Sequence, residues 1–231
     1  MNQIRTHLTS IRDRIEAACA RAGRSPGQVR LVAVAKTKPA AMVEAAFAAG
    51  QQIIGESYVQ ELVTKAGQVK APVEWHFLGH LQTNKVKFLP GIVHMIHAVD
   101  RPSLALEINR QWQGRDVPID VLIQVDLAGE ETKFGVREQE LQTLVREVGE
   151  LPSLRIRGLM TLPPFFPDPE DVRPYFIRLR ELAQDMAALN LPNVDMKELS
   201  MGMSHDFEVA VEEGATLVRV GTAIFGERES W

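Results

Sequence analysis

Three short stretches carry residue types that can do chemistry together. Lys36 closes the run Arg30-Leu31-Val32-Ala33-Val34-Ala35-Lys36, where a period of two puts Val32, Val34 and Lys36 on one face and Leu31, Ala33 and Ala35 on the other. An amine at the end of an apolar strand is a candidate nucleophile toward a carbonyl, whereas a lysine elsewhere is ordinarily a solvated charge. Lys38, just before Pro39, is expected at the rim in solvent. The other two stretches are Leu199-Ser200-Met201-Gly202-Met203-Ser204-His205-Asp206 and Arg219-Val220-Gly221-Thr222-Ala223-Ile224-Phe225-Gly226. Their glycines allow close backbone approach, Ser200 and Thr222 offer hydroxyls, and a short helix starting near Thr222 would aim free N–H groups at an anion. A plainer role is also open, in which Gly202, Gly221 and Gly226 make turns and Ser204 caps a helix that Asp206 favours electrostatically.

A lysine that forms a Schiff base and a cradle that holds phosphate suit one ligand carrying both an aldehyde and a phosphate, and pyridoxal 5'-phosphate (PLP) is that molecule. Alternation along Leu217, Arg219 and Gly221 places Arg219 on the cradle's side, within reach of a pyridine nitrogen. An arginine there disfavours a proton on that nitrogen and weakens the ring as an electron sink. Alternatively, Arg219 pairs with an inward carboxylate. A Schiff-base aldolase acting on a phosphorylated sugar through Lys36, without cofactor, is a further reading of the same residues.

The elements that must position these groups alternate along the chain. Residues 2–22 read as an amphipathic helix, with Ile4, Leu8, Ile11, Ile15 and Ala18 spaced by three and four. Strands follow at 29–35, 52–55, 73–78, 93–98, 119–125, 154–158, 196–199 and 217–220, with helices around 40–49, 57–69, 82–88, 101–113, 138–149, 170–188 and 205–213. Eight strands alternating with helices predict an α/β fold, a (β/α)8 TIM barrel with an extra N-terminal helix, against the rival of an open doubly wound sheet. In such barrels the loops after the strands build the site, which is where Lys36 and both glycine loops fall. A length of 231 residues is filled by one such unit, so one domain over 1–231 is expected.

Composition narrows the classes. A net charge of −4 gives no global positive field for nucleic acid or an anionic membrane. Cys19 is the sole cysteine, which excludes an internal disulfide framework and multi-thiolate zinc sites and points to a reducing compartment. The first twenty residues contain no uninterrupted apolar run, so the expected address is cytoplasmic. His76 and His80 are four apart, but one sits in a strand and the other in a loop, so helical metal-ligand geometry does not apply. Residues 84–87 read as a solvated helix start, and the proline-rich stretch 163–169 as a lid, a packed connection or a partner contact.

Six segments in order carry a resemblance. They are Leu31 through Pro39, Gly55-Glu56-Ser57-Tyr58-Val59-Gln60-Glu61, Trp75-His76-Phe77-Leu78-Gly79-His80-Leu81-Gln82-Thr83-Asn84-Lys85, Arg157-Gly158-Leu159-Met160, the Leu199–Ser204 loop, and Val218 through Gly226. Together they resemble the pyridoxal-phosphate homeostasis protein family. The resemblance implies a barrel related to that of alanine racemase, with PLP on Lys36, phosphate contacts from Ser200, Gly221 and Thr222, Arg219 at the pyridine nitrogen, and flanking contacts from Met160 and Met201. Ser57 stands where the family commonly has asparagine, and Asp126 where asparagine is frequent, which puts the contact of that longer amide in doubt.

The resemblance further implies a carrier that buffers PLP or delivers it to PLP-dependent apoenzymes, acting as a monomer. A racemase on this cofactor needs a second acid/base on the far face of the ring, which the related racemase takes from another subunit's extra β domain. Here Tyr58 opens a helix and Tyr175 lies within one, so efficient turnover is not expected. A weak PLP-dependent amino-acid racemase is the alternative.

Overall fold

The computed structural model describes residues 2–129 and 134–227. Helix α1 (Asn2–Arg21) comes before any strand. Its Ile4, Leu8, Ile11, Ile15 and Ala18 are buried together, as their helical spacing requires. The barrel then runs β1 (Arg30–Val34), α2 (Ala40–Ala48), β2 (Ile53–Glu56), α3 (Val59–Gln68), β3 (Glu74–Phe77), a 3-10 segment (Thr83–Phe88), β4 (Val93–Val99), α4 (Pro102–Trp112) and β5 (Ile119–Asp126). It continues with the two-residue β6 (Val136–Arg137), α5 (Glu138–Gly149), β7 (Leu154–Thr161), a 3-10 turn (Pro169–Val172), α6 (Arg173–Ala187), β8 (Val194–Ser200), α7 (Phe207–Glu212), β9 (Leu217–Val220) and α8 (Thr222–Phe225).

Every strand pairing is parallel, and the ring closes because β1 pairs with β9 as well as β2 while β4 pairs with β5. Leaving aside β6, a short addition hung on β5, the strands form an eight-stranded α/β barrel. The stretch expected as a helix around 82–88 is instead a 3-10 segment.

The apolar side chains divide into two layers, as strands with both faces covered demand. Inside the barrel, Val32, Ile53, Leu78, Met95, Ala98, Leu122, Met160 and Leu217 pack together with Val34. Leu31, Ala33 and Ala35 join the outer layer between strands and helices, so alternation along β1 falls as its sequence dictates. Burial of each large inner side chain contributes about 1.5–3 kcal/mol.

Strand β7 outruns its sequence signal. The expected strand ends at Gly158, yet it continues to Thr161. The glycine sits at φ +156° where the β8 backbone approaches so closely that an added Cβ would lie 1.8 Å from the Glu198 carbonyl oxygen. Here glycine permits contact instead of ending the strand. Replacing it by alanine forces the two strands apart, so Gly158→Ala is expected to cost about 2–4 kcal/mol in urea denaturation. An unchanged midpoint would show that the close approach is not maintained in solution.

Candidate functional site

A cavity of about 420 Å³ opens at the C-terminal ends of the strands, lined in part by Lys36, Ser57, His80, Gln124, Ser204 and Arg219, with Gly221 and Thr222 on the β9 side. Lys36 stands two residues beyond the end of β1, above Val34, and is half-buried. Lys38 is tied down as well, donating from Nζ to the Glu227 carbonyl at 2.6 Å.

The β9 wall is built by main chain. A Cβ on Gly221 would stand 3.2 Å from the Val34 carbonyl oxygen, so a glycine lets the β9 end lie against β1. Ser204 Oγ accepts a long hydrogen bond of 3.4 Å from the Gly221 N–H. Helix α7 begins at Phe207 with Asp206 as its N-cap, so Ser204 does not cap it and its hydroxyl faces the cavity instead. Asp206 Oδ1 accepts from the Met203 N–H at 2.6 Å and closes the 203–206 turn.

Arg219 is the buried cation of the floor. It donates to Ser200 Oγ at 2.6 Å and to the Thr161 carbonyl at 2.9 Å. Among the described residues no carboxylate accepts a hydrogen bond from it: the donors go to a hydroxyl and a carbonyl, while Asp206 acts on it only through its charge. Burial lowers its pKa to about 10, which leaves it charged at neutral pH. Behind it, Ser200 Oγ meets His97 Nδ1 at 2.9 Å, and His97 Nε2 meets His76 Nδ1 at 2.9 Å. Burial pushes His76 down to about 3, with Arg30 and His94 adding repulsion. His97 lies well below its ordinary value, from burial first and then from His76, Arg219 and Arg30. Neutral rings suit the chain, because each link then has one donor and one acceptor.

Lys36, Ser57, Arg219, Gly221 and Thr222 come together at one cavity; Ser200, Met160 and Met201 are not among its lining side chains. Ser200 is buried with its hydroxyl committed to Arg219 and His97. Met160 packs inside the barrel one layer below. Met201 follows the inward Ser200, so alternation turns it out to the helical layer. Tyr58 is exposed, Tyr175 packs near Phe166, and neither tyrosine lines the cavity. Asp126 Oδ1 accepts from the Ala128 and Gly129 N–H groups at 3.0 and 3.1 Å, which shapes the turn after β5. The proline-rich loop leans on the rim, where His205 Nε2 lies 3.1 Å from the Pro167 carbonyl oxygen.

Sequence reasoning missed four contributors. Ser204 lies in the 199–206 loop, where its sequence suggests no more than a helix cap. Gln124 lines the cavity and donates to the Phe134 carbonyl at 2.7 Å, while His80 stacks on the Phe134 ring at 3.6 Å. His97 is a polar residue among Met95, Ile96, Ala98 and Val99, and that contrast is its available signal. Among the described residues no group of three or more His, Cys, Asp or Glu is arranged to hold a metal ion. Nor, among the described residues, is any helix long and apolar enough to cross a membrane.

Barrel, strand-end lysine and hydroxyl-glycine wall define a class, the parallel barrels of the alanine racemase N-terminal type. The family model described as "Alanine racemase, N-terminal domain" matches residues 6–229. The pyridoxal phosphate homeostasis protein of Aquifex aeolicus is 48% identical over 223 residues, covering 96% of this chain and 97% of that protein. The structure of PipY from Synechococcus elongatus with PLP bound aligns at a TM-score of 0.86 and 34% identity, covering 97% of this chain and 100% of PipY. Alanine racemase of Corynebacterium glutamicum shares the fold alone, with a TM-score of 0.67 and 17% identity over 95% of this chain and 62% of the racemase. The chain belongs to the pyridoxal phosphate homeostasis protein family.

The buried histidines make stability depend on pH. Both are neutral in the fold and take up a proton when unfolded, at an ordinary pKa of about 6.5. Their stabilisation is fully present above about pH 6.5 and is lost as pH falls, at about 1.4 kcal/mol per unit for each ring. Glu56 acts oppositely: burial raises it from 4.5 to about 7, so the folded state keeps a proton that the unfolded state releases between those values. Urea denaturation should therefore show a net loss of about 1.4 kcal/mol between pH 6 and 5, and Glu56→Gln should roughly double that slope. A flat profile would mean that the histidines carry charge in the fold.

Proposed function

We propose that this protein binds PLP at the barrel mouth and serves PLP homeostasis, holding the cofactor on Lys36 and buffering or delivering it to apoenzymes. The carrying observation is the convergence of Lys36, Arg219, Gly221 and Thr222 on one cavity. When bound, PLP supplies an aldehyde that condenses with a lysine amine, forming a C=N bond and releasing one water.

The donor set suits that group. Lys36 Nζ is the amine. Thr222 and Ser204 bring hydroxyls, and the first N–H groups of α8 have no partner within the helix, which matches a phosphate's acceptors. Arg219, charged and fixed by Ser200 and Thr161, opposes a proton on a ring nitrogen placed before it. Ser57 remains a shorter contact than the family's asparagine at the β2 side of the cavity. Met160 and Met201 would act on the ligand only through the layers they pack in.

Binding without turnover is the reading we favour. Acid/base exchange at an amino-acid carbon needs a group on each face of the ring, and a ring nitrogen kept unprotonated gives a poor electron sink. No tyrosine lines the cavity to act as the second base. The names borne by the Aquifex relative and the PLP in PipY agree with a cofactor-handling role. A single barrel working as a cytoplasmic monomer completes the proposal.

Borohydride reduction in the presence of PLP should add mass to the peptide containing Lys36, and Lys36→Ala should abolish that mass while non-covalent binding persists through the phosphate wall. Loss of all binding would show that the two anchors are not independent, and a phosphosugar trapped in place of PLP would sink the assignment. Delivery is read by transfer to a defined apoenzyme in the presence of a trap for free PLP. Exchange of amino-acid enantiomers at about 1 s⁻¹ or faster would contradict the carrier assignment.

A further inference from the structure

The turn that carries Lys36 is held from outside the barrel by a charge cluster that has no place in the cavity. Lys65, on α3, is 4% exposed, and Glu56, at the end of β2, is fully buried. The Lys65 ammonium donates to the Ala35 carbonyl at 2.5 Å, to Glu61 Oε1 at 2.6 Å and to Glu56 Oε1. Glu61 Oε1 also accepts the Thr37 N–H at 2.6 Å. The carbonyl before Lys36 and the N–H after it are thus both tied to one cluster.

Thr37 makes that hold necessary. Its φ of +64° lies in the left-handed region, which a β-branched residue occupies at a cost of about 1–3 kcal/mol. Released from Glu61, the turn would relax and swing Lys36 away from the direction β1 gives it. A scaffold role alone explains less, since a buried ion pair adds little net stability over apolar side chains of similar size. Here two of the cluster's bonds end on the main chain beside Lys36.

We propose that Lys65, acting with Glu56 and Glu61, is a positioning residue that locks the Ala35–Thr37 turn so that the Lys36 amine enters the cavity. The proposal rests on the reading of Lys36 as the covalent anchor for PLP. Displacing a reacting atom by about 1 Å can cost about a hundredfold in rate.

The test measures how fast PLP becomes trapped by borohydride on Lys36, beside non-covalent PLP affinity in a Lys36→Ala background. Lys65→Met should slow trapping by about 10- to 100-fold with non-covalent affinity unchanged. Glu61→Gln, which keeps an acceptor for the Thr37 N–H, should stay near the wild-type rate, and Glu61→Ala should slow it. Thr37→Gly should recover much of the rate in the Lys65→Met background, because glycine accepts the left-handed turn without strain. Glu61 is half-buried, so Glu61→Ala carries the test if Lys65→Met does not fold. Trapping at the wild-type rate in the folded variant overturns the positioning role and leaves the proposed function standing. Absence of any adduct on Lys36 in the wild-type protein overturns the proposed function itself.

Discussion

Val32 lies opposite Arg219 where β1 pairs with β9, and this register between the first and last strands carries the rest of the site. Barrel closure brings together residues that are far apart in sequence. Two steps further along the same pair, Gly221 meets Val34, and the missing side chain lets the β9 end draw in to the main chain. Lys36 and Thr222 then open on the same cavity. A one-residue slip of this pairing would turn Arg219 outward and put Val218 or Val220 in the barrel, burying apolar bulk where a cation now stands.

Placing that cation constrains its surroundings. A buried guanidinium can be kept only if it is compensated, and hydrogen bonds to Ser200 and the Thr161 carbonyl, with the charge of Asp206 nearby, do this. The serine's remaining contact goes to His97, and His97 passes to His76, so one buried charge organises three further polar side chains through the barrel interior. Geometry at β4 permits it. Ile96 pairs with Val121 and Val99 with Ile123, three residues against two, and this bulge accommodates His97 beside Ala98 in the interior. Burial and the neighbouring arginines then keep both rings neutral.

Much of this is legible in the sequence. Period-two alternation along β1 assigns Val32, Val34 and Lys36 to the interior, and the β/α alternation with its eight strands identifies the barrel, because burial on both sheet faces leaves strong apolar signals. The extension of β7 beyond Gly158 was not legible, since a glycine that ends a strand and one that admits a neighbouring backbone look alike in sequence. Ser200 and Ser204 compete for one role in one loop, and only the inward turn of Ser200 toward Arg219 shows that Ser204 is left to face the cavity. Lys65 and Glu61 stand four apart in a helical stretch, and that spacing does not distinguish a buried pair from a surface one. Their burial against Ala35 and Thr37 arises from the crossover between β2 and α3, a tertiary fact that no local pattern contains.

The arrangement of anchors bears on holding and releasing a ligand. Were PLP held both by Lys36 and by the β9 wall, as proposed, the two attachments would behave as linked sites: with the phosphate engaged, the amine would meet the carbonyl at a high effective concentration. Such a ligand is retained strongly although each attachment alone is modest. Release then needs no large motion. A Schiff base on Lys36 would be reversible by water, and the cavity is open at the strand ends, so loss of that bond would leave a ligand held only by hydrogen bonds. Charge on Arg219 would reinforce the same outcome if the ring nitrogen stood before it, because a nitrogen kept without a proton withdraws few electrons from the bonds that a racemase must break. On the proposed reading, retention and restrained chemistry would follow from one set of contacts, with Lys36 supplying a reversible bond and Arg219 opposing a proton on the ring nitrogen.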